Sequence, residues 1–132
     1  MASHVAPVHP SAVTVWYDSE CPLCVREIAL MRRLDRQGAV RFINIQNATG
    51  CPLDASTLLA RFHAQELGQP LVSGAAAFAA MWRAIPALRP LGLIARSAAV
   101  LWLLERLYLV FLKVRPRLQR AARALGPVED TP

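Results

Sequence analysis

Cys21-Pro22-Leu23-Cys24 constrains this chain more than any other stretch. It lies between a β-branched and aromatic run, Val13-Thr14-Val15-Trp16-Tyr17, and an amphipathic stretch over residues 25–34. The run reads as a strand and the stretch as a helix. Two thiols two residues apart at a strand-to-helix junction form the arrangement that dithiol–disulfide exchange needs. Partial positive charge and outward-pointing N–H groups gather at a helix start, so Cys21 is expected to be the more acidic and more exposed thiol. Cys24, one turn along, is expected to be more buried and close enough to close a disulfide over Cys21.

Length and charge narrow the setting. A chain of 132 residues makes one domain with an ordinary core. Three cysteines are too few, and odd in number, for a secreted disulfide scaffold. The first charged residue is Asp18 and the first basic one Arg26, so the start lacks the pattern of a signal peptide. The charge-free stretch 67–82 is interrupted by Gly68, Pro70 and Gly74 and is too short to span a bilayer. The expectation is a soluble, cytoplasmic protein. Residues 1–80 hold six Arg and six acids, whereas residues 81–132 hold nine basic groups and three acids. A nucleic-acid binder would carry its charge more evenly, so no nucleic acid is expected as a partner.

Along the chain, residues 1–12 read as a loose tail with Pro7 and Pro10. The strand at 13–17 is followed by the turn Asp18-Ser19-Glu20, with Pro22 in the first helical turn. Cys24, Val25, Ile28, Met31 and Leu34 line one helix face, and Gly38 stops the helix. Residues 40–45 alternate as a second strand, which gives a βαβ unit with a parallel pair. A turn-rich link at 47–54 leads to a short helix at 55–60. Strands at 61–67 and 70–73 flank a tight turn at Gly68-Gln69. An alanine-rich helix at 75–85 is expected to end at Pro86 and Pro90, followed by a short helix at 91–97. The most apolar helix runs from Ala98 to about Arg115, where Pro116 kinks or ends it. The layout is a small α/β sandwich with the dithiol helix against the sheet. One domain is expected over 13–120, with a second loose tail at 121–132.

Tyr17-Asp18-Ser19-Glu20-Cys21-Pro22-Leu23-Cys24, with Glu27 three positions on, resembles the DCC-type thiol-disulfide oxidoreductase family. Arg61-Phe62-His63, Gly74-Ala75-Ala76-Ala77-Phe78 and Leu107-Tyr108 resemble its second half. The resemblance covers about residues 13–120 and implies a thioredoxin-like fold with a small mixed sheet, flanking helices and an added C-terminal helical segment. Ser19 stands where the family has Gly, and no Pro directly precedes Arg61, so a cis-Pro loop of the thioredoxin kind is not evident.

The implied activity is thiol-disulfide exchange as a protein-disulfide reductase, with Cys21 as attacking thiolate and Cys24 as resolving thiol. No cofactor is expected. The partners are a protein or small-molecule disulfide and a separate electron donor. Pro22-Leu23 carries no charge or imidazole to stabilise the thiolate, which favours a reductant over a strong oxidant. The supporting set is Trp16, Tyr17, Asp18, Pro22 and Glu27. Asp18 either takes a proton from Cys24 or holds the turn. Glu27 is read as a solvated charge, and Trp16 as core. Cys51 reads as a lone loop thiol, with a regulatory pairing to Cys21 as the sharper alternative. His63 reads as a satisfied strand histidine. The competing class is a non-enzymatic module. In one form Cys21, Cys24, Cys51 and His63 bind zinc. In the other, the basic C-terminal helix meets a membrane or a membrane protein; if the helix continues through Pro116, Arg106, Lys113, Arg117 and Arg120 fall in one sector opposite Leu101, Leu104, Tyr108 and Leu112.

Overall fold

The structure, a computed structural model, describes residues 12–47 and 54–126. The two outer tails, and Cys51 with the link around it, lie outside the described residues.

Strand β1 (Val13–Tyr17) is buried along most of its length and lies inside the sheet. It runs parallel to β2 (Val40–Asn44), in register from Val13 against Val40 to Tyr17 against Asn44. Its other edge pairs antiparallel with β3 (His63–Glu66), which pairs antiparallel with β4 (Leu71–Ser73). The order is β2-β1-β3-β4. Helix α1 (Pro22–Leu34) links the parallel strands, and α2 (Ala55–Ala60) precedes the hairpin. Helix α3 (Ala75–Ala84) follows it. This is the thioredoxin-like arrangement the family pattern implies.

Alternation of side chains across the sheet sends Val13, Val15, Tyr17, Val40 and Ala64 to one face, against Ile28 and Met31 of α1 and the Ala77, Ala80 and Met81 surface of α3. Trp16 points to the opposite face, with Ile45 and Leu58. Alanines on α3 leave no bulk between helix and sheet, so the helix packs closely. At the end of α1, Asp35 accepts hydrogen bonds from the backbone N–H groups of Ala39 and Val40, both at 2.9 Å, which turns the chain into β2.

The C-terminal part differs from the sequence expectation. Pro90 does not break a helix but sits in the first turn of α4 (Arg89–Ile94), where its missing N–H has no partner to lose. Helix α5 (Ala98–Ala124) runs straight past Pro116 for two more turns. It reaches beyond the expected domain end at 120, and Ala122 is buried. Contacts at both ends of α5 offset the bond that Pro116 removes. Near its start, Glu105 accepts from Arg61 Nη2 at 2.9 Å and from the Ala75 N–H at 3.1 Å. The Phe62 N–H donates to the Tyr108 hydroxyl at 2.8 Å. At its far end, Arg26 of α1 donates to the Gly126 carbonyl at 2.8 Å. Helix α5 therefore packs across both α1 and α3.

Candidate active site

The chain leaves β1 at Tyr17 and turns at once. The Cys21 N–H closes the turn on the Asp18 carbonyl at 3.2 Å. Asp18 Oδ1 accepts from the Glu20 N–H at 2.9 Å and from Gln46 Nε2 at 3.0 Å. Cys21 then takes the N-cap position of α1, with Pro22 behind it in the first turn. Its sulfur accepts the Cys24 N–H at 3.3 Å, the place a serine or aspartate oxygen occupies in an ordinary cap. Both cysteines are free thiols.

Helix α5 completes the arrangement. Gln119 Nε2 donates to the Cys21 sulfur at 3.1 Å, and Arg115 Nη2 lies 3.7 Å from the Cys24 sulfur. A hydrogen bond from the Cys24 thiol does most to favour the Cys21 thiolate. Burial opposes it, while the Cys24 N–H, Gln119 and Arg115 add to it. The net result lowers the Cys21 thiol from 9.0 to about 5. Cys24 moves the other way. Its hydrogen bond to Cys21, its burial and the adjacent thiolate charge all hold its proton in place, well above the ordinary thiol range. Burial works against the Arg115 charge, but attraction to the two sulfurs outweighs it and raises its pKa.

Glu27 stands on the next turn of α1 beside a cleft of about 40 Å³, also lined by Trp16, Leu23, Cys24, Phe111 and Arg115. That volume admits water. Burial pushes the Glu27 carboxyl up to about 7, and the Cys21 charge adds to the rise. One thiol is thus acidified and its neighbour kept protonated, beside a carboxyl that titrates near neutrality. Such a set can carry nucleophilic attack, resolution and proton transfer.

A model of DCC1-like thiol-disulfide oxidoreductases matches residues 15–121. The chain belongs to the DCC1-like thiol-disulfide oxidoreductase family. The match takes in the dithiol and nearly all of α5, so Arg115 and Gln119 fall within the family unit. No match was found among curated proteins or among solved structures.

Against the sequence expectations, Cys21, Cys24, Asp18 and Glu27 gather at one end of the sheet. Three expectations need correction. Cys21 is the more acidic thiol but not the more exposed one: only 2 % of its surface is accessible, because α5 covers it, while Cys24 is partly exposed. Glu27 is not a solvated charge but lines the cleft beside Cys24. The thiolate does not lack polar support, since α5 supplies what the Pro22-Leu23 spacer does not.

Asp18 spends its carboxylate on the turn. The Tyr17 hydroxyl accepts from Arg32 at 3.3 Å, and its ring lines the cleft beside Cys24 and Glu27. Trp16 is core and also walls the cleft. His63 is buried, with Nδ1 2.8 Å from the Arg61 carbonyl. Among the described residues no three metal-ligating side chains cluster, and the zinc arrangement called on Cys51, which lies outside them.

Arg115 and Gln119 are the residues sequence reasoning missed. Their signal was present. At about 100° per residue, both fall in the sector of Leu104 and Tyr108, so they are polar groups on a buried helix face. Gln119 lies past Pro116, where the sequence alone leaves open whether the helix is kinked, ended or continued.

Proposed function

We propose that the chain is a protein-disulfide reductase that works through Cys21 and Cys24. The observation that carries this reading is the setting of the two sulfurs: Cys21 at the N-cap accepts from the Cys24 N–H and Gln119 Nε2, which favours its thiolate, while Arg115 and the cleft that Glu27 lines flank Cys24. The Cys21 thiolate attacks a substrate disulfide. A Cys21–substrate S–S bond forms, the substrate S–S bond breaks, and one substrate sulfur leaves as thiolate. Glu27, ionised, then takes the Cys24 proton through the cleft. The Cys24 thiolate attacks the Cys21 sulfur, closes the Cys21–Cys24 disulfide and releases the second substrate sulfur. Two electrons pass from protein to substrate, and an external thiol donor returns them.

A stabilised thiolate stabilises the reduced protein and so raises its reduction potential. The potential is expected above the roughly −270 mV of thioredoxin. The reductase direction therefore rests on a strongly reducing donor and not on an unsupported dithiol. Because Cys21 is covered, a substrate must displace part of that cover to reach the sulfur, and the Gln119 side chain belongs to it.

Insulin reduction followed by turbidity, with dithiothreitol as donor, tests the assignment. Turnover above the donor alone is expected and should vanish in Cys21→Ser. Cys24→Ser should instead accumulate a mixed disulfide on Cys21, visible by mass spectrometry. Turnover that survives Cys21→Ser would sink the reading.

A further inference from the structure

The inner face of α5 holds the dithiol, yet its outer face is not an ordinary solvated surface. Among the described residues, ten of the twelve large hydrophobic side chains that are exposed lie at or beyond Leu91. On α5 itself Trp102 is 61 % exposed, and Leu103, Leu107 and Val110 are each more than half exposed. Below Leu107 an open groove of about 240 Å³ runs between α3 and α5, lined by Phe78, Trp82, Leu104 and Phe111 with almost no polar atoms. Isolated exposed apolar residues are unremarkable on a monomer, but a band beside an apolar groove marks an interaction surface.

Charge identifies what fits there. At about 100° per residue, Arg106, Lys113, Arg117 and Arg120 form one stripe beside the Leu103-Leu107-Val110 band. All four are exposed, and none joins an ion pair among the described residues. The Arg106 guanidinium stacks over the Trp102 ring, 4.9 Å from its centre. A stripe of one sign disfavours a second copy, which would bring the same charges face to face. It favours an anionic surface that also accepts apolar side chains. Among the described residues no helix is long and apolar enough to cross a membrane. A helix with this face lies along the interface.

We propose that the outer face of α5 docks on anionic lipid bilayers. Leu103, Leu107 and Val110 enter the boundary between headgroups and acyl chains, Trp102 lies at headgroup level, and the four basic residues meet lipid phosphates. The groove beside Leu107 accepts part of an acyl chain. The dithiol, on the opposite side of the same helix, is then held about one helix diameter, roughly 10 Å, from the membrane surface.

Co-sedimentation of the full chain tests this. One set of vesicles combines phosphatidylcholine and phosphatidylserine, and the other is phosphatidylcholine alone. Binding to the anionic vesicles is expected at low ionic strength. It should fall about tenfold or more at high ionic strength, and by a similar factor when Arg117→Glu and Arg120→Glu are combined. Val110→Glu should also weaken it, with circular dichroism confirming the helix content of each variant. Absence of binding at low ionic strength, or binding indifferent to both the charge reversal and Val110→Glu, overturns the proposal. A dimer in sedimentation equilibrium that Val110→Glu dissociates, without vesicle binding, also overturns it and gives the face to a second copy.

Discussion

Cys21 caps a helix with its own sulfur, and that single position joins acidity to concealment. The donors that stabilise its thiolate are also the groups that cover it. The two effects separate in Gln119→Ala. At pH 7 the wild-type thiol, with a pKa of about 5, is almost fully ionised. Losing one donor cannot change that fraction much, so access decides, and iodoacetamide should alkylate the variant faster than wild type. Near pH 5 the lost donor lowers the thiolate fraction, and the advantage should shrink. A variant slower than wild type at pH 7 would show that Gln119 does not cover the sulfur.

Glu27 makes the second residue-scale prediction. Its folded pKa of about 7 lies above the ordinary 4.5, so burying the carboxylate disfavours folding once it ionises. That penalty is absent below about pH 4.5, grows between pH 4.5 and 7, where the unfolded carboxyl ionises first, and is complete above about 7. Glu27→Gln should therefore match wild type in thermal stability at pH 4 and exceed it at pH 8. Its turnover should move oppositely. The wild-type rate should climb with pH through 7 as Glu27 becomes able to take the Cys24 proton, and Glu27→Gln should lack that rise. A rise that survives the substitution assigns the proton transfer elsewhere.

At the scale of elements, the placement of α5 decides whether the thiols have partners at all. Gly74 has φ 65°, and a Cβ there would run into the Arg61 guanidinium and the Glu105 carboxylate. Those groups tie α5 to the start of α3 and to the segment before β3. Gly74→Ala should cost about 2 kcal/mol, combining left-handed strain with a disturbed ion pair. Thermal denaturation gives the loss. The alkylation pKa of Cys21 should rise with it as Arg115 and Gln119 shift. An unchanged pKa in a destabilised variant would mean that the two ends of α5 dock independently. Strand β1, helix α1 and the pairing of β1 with β2 were legible because period and turn chemistry are local signals. Helix α2 was legible too, over residues 55–60; its cap, Asp54, whose side chain accepts from the Thr57 N–H at 2.9 Å, reads in the sequence as part of the link. The extent of α5 was not, because a proline argues locally for an end. Contacts from Arg26, 90 residues before Pro116, keep the helix going, and no window of sequence contains them.

For the whole molecule, the fold was readable and the environment of the dithiol was only half so. The helix start that acidifies Cys21 is written in adjacent residues. The cover that conceals it is made by side chains almost a hundred positions away, and Glu27 looked solvated only because α5 was not yet laid over α1. The same assembly links redox state to stability. In the folded reduced protein the Cys21 pKa is depressed from 9.0 to about 5. A depressed pKa contributes stability that is complete above pH 9 and is lost as pH falls through 5. At pH 7 part of that contribution is expressed, because the folded thiol is ionised while the unfolded thiol is still protonated. The oxidised protein has no Cys21 proton to release, so this contribution is absent from it. Its disulfide adds a constraint on the unfolded chain, but one that does not vary with pH in this range. The melting temperature of the reduced protein minus that of the oxidised protein should therefore rise steadily from pH 5 to pH 8. Cys24 stays protonated when folded and so contributes no slope below about pH 8. Calorimetry of both forms across that range, repeated in Glu27→Gln to remove the opposing carboxyl, measures the slope. A difference that stays flat would mean that the folded protein does not hold Cys21 as a thiolate, and the attacking role would lose its basis.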